Sequence, residues 1–175
     1  MNRICKKWGA LLLACLLTLA ALAGNVSWCV QAEESKTVTT ENGIVLTYDV
    51  FTNGTVAITG NTQPISGKLV IPQRVDGKQV TKVFGIGKED ELTYVEFPEG
   101  VTGISGFNDC SKLSQVVIPS SAEYFGEFTF RNTPWFSEKQ AENPLVILNT
   151  TLLDGSAVAG DVRIPDGVTK INMRA

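Results

Sequence analysis

The chain has 175 residues, which is the length of one modest domain. It contains no histidine, so the most common general base and the most common zinc ligand of proteins are excluded. The formal net charge is −3, and the sequence has no basic cluster of the kind that binds nucleic acid.

Residues 1–32 have the pattern of a secretory signal peptide. The positive charges at its start are those of Arg3, Lys6 and Lys7. An apolar run over 9–23 follows, shorter than the ~20 residues that cross a bilayer. Cleavage is predicted after Ala32 or after Ala23. We therefore expect an exported protein, secreted or at the cell surface, that meets the membrane only through this peptide during export. A retained anchor and lipidation at Cys15 are the alternatives.

Cysteine is nearly absent beyond this leader. Of four cysteines only Cys110 lies after residue 32, so no disulfide forms within the exported part. Its thiol has no histidine to act as a base, and we expect it to be buried rather than reactive. A small exported domain without disulfides depends on its apolar core.

Two segments precede the main pattern of the chain. Residues 33–42 are polar and rich in threonine and are predicted to be a flexible lead-in. Residues 43–64 are predicted to form a β-hairpin cap, because apolar strands over 44–51 and 56–59 flank Asn53-Gly54, a strong hairpin signal. We expect this cap to cover the first of the repeats that follow.

Four short apolar segments recur, each ending in proline. They are Leu69-Val70-Ile71-Pro72, Val95-Glu96-Phe97-Pro98, Val116-Val117-Ile118-Pro119 and Val162-Arg163-Ile164-Pro165. A five-residue excess around the turn pair Asp76-Gly77 lengthens the first interval between prolines, and without it that interval equals the one from Pro98 to Pro119. We take this second interval as the predicted unit length. A recurring unit of this kind is typical of a solenoid.

The predicted fold class is a mainly β repeat solenoid over 65–175, with short parallel strands joined by turns or short helices, preceded by the β-hairpin cap. Side chains alternate along a strand. Those predicted to face the core are Leu69, Ile71, Val95, Phe97, Val116, Ile118, Val162 and Ile164. Residues 107–113 are expected to form a turn and a short helical segment on the outer side. An inserted helix and hairpin are expected at 133–160, with the helix entered from Pro134.

The outward side chains of the same strands are the predicted ligand-binding row. They are Lys68, Tyr94, Glu96, Gln115, Asp161 and Arg163. Trp135 is a further candidate, as a ring on which a sugar stacks. The alternatives are that the row is an ordinary solvated face and that Trp135 belongs to the core. The charged run 88–91 is expected to be solvated. We predict no catalytic residue, no metal site and no cofactor.

The units read Ile-Pro-x-x-Val-Thr-x-Ile, then an aromatic residue, then Asn-Asp-Cys-Ser-Lys-Leu and Val-x-Ile-Pro. Over residues 65–171 this resembles the BspA-type leucine-rich repeat of bacterial surface and secreted proteins. The segment from Asn132 to Thr169 resembles an insertion in that family. The unit at 101–113 is shorter than the family's usual ~23-residue repeat. Residues 172–175 stop where the family would place a phenylalanine, so the resemblance implies the N-terminal part of a longer protein, truncated at its C-terminus.

The resemblance implies adhesion, or binding to host or polysaccharide surfaces. The predicted function is a non-enzymatic extracellular binding or adhesion module, with a host or bacterial surface protein or a polysaccharide as partner. The alternative is a structural spacer or scaffold region of a larger secreted enzyme or polysaccharide-degrading assembly. An enzyme in its own right is a third hypothesis, which no residue of the sequence favours.

Overall fold

The structure is a computed structural model that describes residues 36–173 and residue 175. The signal peptide predicted for 1–32 and the first residues of the predicted lead-in lie outside the described residues. Within the described part, no helix is both long enough and apolar enough to cross a membrane.

Short strands dominate the described residues, and one helix, α1 (Pro134–Glu142), accompanies them. The strands are β1 (Lys36–Thr39), β2 (Val45–Val50), β3 (Val56–Asn61), β4 (Ser66–Val70), β5 (Arg74–Val75), β6 (Lys78–Ile86), β7 (Glu91–Glu96), β8 (Gly103–Gly106), β9 (Gln115–Val117), β10 (Tyr124–Phe125), β11 (Val146–Leu148), β12 (Thr151–Asp154) and β13 (Lys170–Ile171). The chain is a β-solenoid, as the sequence predicts. One sheet has the order β1-β2-β3-β6-β8-β10, and a second has the order β4-β7-β9.

The N-terminal end of the solenoid is an antiparallel arrangement of three strands, β1 to β3. The flexible lead-in predicted for 33–42 is wrong at residues 36–39, because these form β1 and pair with β2 from Lys36↔Tyr48 to Thr39↔Val45. Val38 packs against the core, which a strand of alternating Thr and Val permits. β3 then pairs in parallel with β6, so the cap also provides the first strand of the parallel part of the longer sheet.

The unit length predicted from the prolines is confirmed by the strand registers. Tyr94 pairs with Gln115 across β7 and β9, and Ile104 of β8 pairs with Phe125 of β10, so both steps equal the predicted interval. Side chains one unit apart are also neighbours, since the exposed Lys112 Nζ lies 2.7 Å from Oε1 of the glutamate one unit earlier. Successive turns of the chain therefore stack in register, as in other solenoids.

The five-residue excess of the first unit forms a small hairpin of its own. β4 and β7 pair in order, as in Lys68↔Tyr94, while β5 folds back on β6 around Asp76 and Gly77. Both turn residues have positive φ, 50° and 73°, as a tight two-residue hairpin turn requires. The hydroxyl of Tyr48 donates a 2.5 Å hydrogen bond to Asp76 Oδ2 and ties this hairpin to the cap.

The core is continuous from the N-terminal cap to the hairpin β11–β12. Leu69, Ile71, Val95 and Phe97 are buried, as predicted, and Val116 and Ile118 are half-buried. Its centre is an aromatic cluster in which Phe107, Phe130, Phe97 and Trp135 meet at ring-centroid distances of 5.0–6.3 Å. Such edge and offset contacts add to the stabilisation from apolar burial.

Glycine occupies a corner of successive turns where the backbone of one turn touches the next. A Cβ on Gly85 would lie 1.9 Å from the carbonyl oxygen of Thr59, and one on Gly106 would lie 2.3 Å from that of Ile86. Both glycines have positive φ, 80° and 101°. Only glycine satisfies both conditions, which explains why these two units both have glycine at this corner.

Two further predictions about local structure are wrong, one of them in part. Residues 107–113 form the predicted turn but no short helical segment, because Phe107 and Asp109 are in the left-handed region, with φ of 62° and 60°. The predicted fourth strand at 162–164 is irregular, and the side chains of Val162 and Ile164 are 44% and 38% exposed instead of buried.

The segment 133–160 contains α1 and the antiparallel hairpin β11–β12. Thr133 caps α1, since its hydroxyl accepts the Phe136 N–H at 3.1 Å. β12 pairs in parallel with β13, and the N–H of Thr169 donates to Thr150 O at 2.8 Å. β12 thereby provides the strand of one turn of the solenoid, and β13 provides the strand of the next turn.

Glu89 overturns the expectation that the charged run 88–91 is solvated. It is only 9% exposed, and its carboxylate accepts the Ile65 N–H at 2.7 Å and the Asn61 side-chain amide at 2.6 Å. The carboxylate thus satisfies a backbone donor of the neighbouring turn that would otherwise lack a partner.

Replacing Glu89 by alanine is expected to lower the free energy of unfolding by about 1–3 kcal/mol, because the buried Ile65 N–H loses its acceptor. Chemical denaturation of the variant and the parent chain measures the difference. Asp90→Ala is the matched control, since Asp90 is exposed and its ion pair with Lys88 is at the surface. Equal losses for the two variants would contradict the role given to Glu89.

Candidate functional site

The outward residues of β4, β7 and β9 form one exposed surface, which we call the strand face. Its six residues are Lys68, Val70, Tyr94, Glu96, Gln115 and Val117. The strand registers arrange them in two rows of three, with Lys68, Tyr94 and Gln115 in one row. Four of the predicted site residues therefore lie together on adjacent parallel strands.

Three of these side chains are linked. The Tyr94 hydroxyl donates a 2.6 Å hydrogen bond to Glu96 Oε2, and Lys68 Nζ lies 3.5 Å from the same oxygen. Lys68 Nζ also lies 4.3 Å from the centroid of the Tyr94 ring, in a cation–π contact. The three groups restrain one another, so this part of the strand face is ordered before any ligand arrives.

The same contacts shift two pKa values. The hydrogen bond to Glu96 raises the pKa of Tyr94 above its ordinary value of 10.0, and partial burial and the charge of Glu96 act in the same direction. The hydrogen bond from Tyr94, together with Lys68, holds the pKa of Glu96 below its ordinary value of 4.5, against the smaller opposing effect of burial.

The linked state needs an ionised Glu96 and a protonated Tyr94. Its contribution to stability is therefore lost as the pH falls through the lowered pKa of Glu96, and again as the pH rises through the raised pKa of Tyr94. In Glu96→Gln the pKa of Tyr94 is expected to fall toward its ordinary value, as measured by NMR titration of the tyrosine ring carbons. Glu123→Gln, just before β10 of the other sheet, is the control, and an equal shift in both variants would contradict the linkage.

Apolar side chains complete the strand face. Val70 is 37% exposed and Val117 is 44% exposed, and they flank Glu96 in the second row. Gln115 is exposed at the end of the first row. Mixed apolar, amide and charged groups on a rigid sheet are suited to recognising a surface, because they supply contact area as well as hydrogen bonds.

The remaining predicted site residues do not join this surface. Asp161 and Arg163 are exposed, but they lie in an irregular segment and have no strand to place them in line with β9. The ligand role of Trp135 is corrected, because the residue is only 6% exposed and its ring packs against Phe130 at 5.0 Å. Trp135 belongs to the aromatic cluster of the core.

Sequence reasoning missed a groove beside the strand face. It has a volume of about 510 Å³ and lies between residues 40–42 of the cap and the end of β4. Val70, Ile71, Pro72 and Pro98 contribute to its lining. The prolines that mark the repeats were the available signal, since two of them meet at this groove, but the part of the cap that completes it has no recognisable motif.

The described residues bring together no group of His, Cys, Asp and Glu side chains that would hold a metal ion. Cys110 is fully buried, its thiol donates to Gly87 O at 3.4 Å, and burial raises its pKa. A buried thiol with a raised pKa is a poor nucleophile. The arrangement on the strand face is thus suited to binding, and non-enzymatic function stays a prediction.

Comparisons with known proteins add little information about function. No family model matches the chain, and no curated protein matches it. A crystal structure of a leucine rich cell surface protein from Faecalibacterium prausnitzii A2-165 is similar, with 15% identity and a TM-score of 0.29 over 80% of this chain and 51% of that one. This chain thus spans about half of that protein's length. Similarity at this level transfers neither function nor partner, and the solenoid fold is established by the chain's own strand ladders.

Proposed function

We propose that this chain is a non-enzymatic, extracellular binding module that recognises a surface protein or polysaccharide through its strand face. The observation that carries the proposal is the linked group Lys68–Tyr94–Glu96, in which Glu96 lies between the exposed side chains of Val70 and Val117. Ordered polar groups beside exposed apolar ones are a feature of contact surfaces rather than of a merely solvated sheet.

The extracellular location is supported by the signal peptide pattern of residues 1–32. A bacterial origin and an adhesive role are supported by the resemblance of the repeats to the BspA type. The partner we propose is a host or bacterial surface protein or polysaccharide. Nucleic acid is not among the proposed partners, because the chain is acidic overall.

The test is an array of surface glycans and surface proteins probed with the full chain. We expect Tyr94→Ala to weaken binding to any ligand found by about tenfold or more, because it removes a ring and the hydroxyl that orders Glu96. Tyr124→Ala is the matched control, since this tyrosine is 64% exposed on the other sheet. Equal losses in both variants, or none in Tyr94→Ala, would contradict the proposal.

A structural spacer is the second candidate, and one observation favours it. At the other end of the solenoid, Ile171 is 63% exposed and Ile164 is 38% exposed, so apolar surface is available for a further stacked unit. A spacer binds nothing through its strand face. An array without any ligand for the correctly folded chain would therefore favour the spacer over the binding module.

A further inference from the structure

The groove beside the strand face has a free sheet edge as one wall. β4 is the first strand of the sheet β4-β7-β9, so its other side has no strand partner among the described residues. Residues 40–42 lie across the groove from it. Exposed sheet edges present unpaired N–H and C=O groups, which are a template for pairing with another strand.

The register shows which backbone groups point into this groove. Val70 pairs in parallel with Glu96, and Ile71 N donates to Glu96 O at 3.0 Å. In a parallel ladder the residue between two bonded neighbours directs its own groups to the opposite side. The N–H and C=O of Val70 therefore point away from β7, and no hydrogen bond among the described residues uses either of them.

One position on the same edge already has a substitute partner. The side-chain amide of Asn42 donates to the backbone oxygen of Lys68. Lys68 lies two residues before Val70, so its backbone groups also point away from β7. The side-chain N–H of Asn42 therefore occupies the position that the N–H of an adjacent strand would occupy. A hydrogen-bond donor can therefore reach this edge from the groove. The backbone N–H of Lys68 and the backbone N–H and C=O of Val70 remain available for pairing with a further strand.

The charge at the groove also restricts which ligands fit it. Lys68 is neutralised by Glu96 at 3.5 Å, while the exposed Glu41 on the opposite wall forms no ion pair with the described residues. The unpaired charge at the groove is therefore negative. A ligand with a lysine or arginine beside apolar side chains complements it, with the apolar part against Val70, Pro72 and Pro98.

We propose that the groove binds an extended, basic segment of a protein partner, which adds a strand to the free edge of β4. Main-chain hydrogen bonds to Val70 and Lys68 supply affinity, and Glu41 selects a basic side chain. This inference rests on the proposed function, because it names a protein segment as the partner next to the strand face. A polysaccharide has no strand of alternating N–H and C=O groups to offer this edge.

The test is selection of a displayed library of random linear peptides on the full chain. Selected peptides are expected to combine a lysine or arginine with β-branched apolar residues. Their binding is expected to slow hydrogen exchange of the Val70 and Lys68 amides. Val70→Pro removes the donor that points into the groove, and it is expected to weaken binding about tenfold or more. The β4–β7 ladder does not use that N–H, and proline is tolerated in edge strands.

Val70→Thr is the matched control and is expected to bind as the parent does, since it keeps the N–H and a β-branched side chain. Glu41→Lys is expected to lose the basic peptides and to regain binding when their basic residue is exchanged for glutamate. Should Val70→Pro fail to fold, amide exchange in the parent chain decides the question. Unchanged exchange at Val70 with peptide bound would overturn the inference.

The remaining outcomes separate this inference from the proposed function. If glycan or protein ligands from the array bind and Tyr94→Ala weakens them, but the library yields no peptide, the inference fails and the strand-face proposal stands. If peptides bind with the Val70 signature and no array ligand responds to Tyr94→Ala, the strand-face proposal fails and the groove stands. Self-association that Val70→Pro abolishes would identify a second copy of the chain as the occupant and overturn the inference.

Discussion

Phe130→Ala is expected to lower the free energy of unfolding by about 3–5 kcal/mol, which is among the largest losses that a single core truncation produces. The Phe130 ring is fully buried and meets Phe107 at 5.8 Å, Phe97 at 6.3 Å and Trp135 at 5.0 Å. It therefore joins successive turns of the solenoid to helix α1. The cavity cannot collapse easily, because each neighbouring ring is held by its own turn.

Denaturant unfolding followed by circular dichroism measures this loss. Phe128→Ala is the matched control, because Phe128 is 37% exposed and faces Arg131 at 4.9 Å. The loss of stability in this variant is expected to be about 1 kcal/mol, the scale of an exposed cation–π contact. A similar loss for both variants would show that the aromatic cluster is not the centre of the core.

Gly85→Ala is expected to destabilise the fold by about 3 kcal/mol or more, from left-handed backbone strain together with overpacking. The new methyl group would lie 1.9 Å from the Thr59 carbonyl oxygen, and the residue would keep a φ of 80°. The obstacle is backbone rather than a flexible side chain, so relief requires the two turns to separate. Thermal unfolding of the variant and the parent measures the effect.

Gly87→Ala is the control for this substitution, two residues away on the same stretch of chain. A Cβ there meets nothing within 4 Å, and its φ lies outside the left-handed region. We expect a change within about 0.5 kcal/mol, the usual range for a surface substitution. If Gly85→Ala were equally mild, the close approach between turns would not be a determinant of the fold.

The repeat could be predicted from the sequence because the same physical constraint acts on every turn. Each inward strand position must be apolar and each turn must end within a fixed length, so Val95 and Val116 recur one unit apart and pair directly. The glycine corner follows the same rule, since Gly85 and Gly106 are separated by the same interval. Glycine has no apolar side chain, however, so this corner is invisible in a pattern of apolar positions.

The irregular conformation of residues 162–164 could not be predicted in the same way. Val162-Arg163-Ile164-Pro165 has the repeat pattern, but a solenoid strand needs a partner in the preceding turn. Around residue 145 the chain forms the hairpin β11–β12 with α1 before it, so β9 has no following strand beside it. The repeat pattern of this segment is intact, but among the described residues no strand of the preceding turn pairs with it.

The candidate site was predicted in part, for reasons that differ between residues. Tyr94, Glu96 and Lys68 meet because alternation within strands and the repeat length together fix which side chains are neighbours. The burial of Trp135 depends on how helix α1 docks onto Phe130, and that of Glu89 on donors from Asn61 and Ile65. Such contacts between distant segments leave no trace in local sequence.

The hairpin at Asp76 and Gly77 has a practical consequence. It adds five residues to one unit while β4 and β7 still pair in order, so a change of length at this corner leaves the stacking of every later unit intact. Small in-frame insertions at this hairpin are therefore expected to be tolerated. For the same reason, an epitope tag or a fluorophore attachment sequence grafted between these two residues is expected to report on the protein while leaving the solenoid folded.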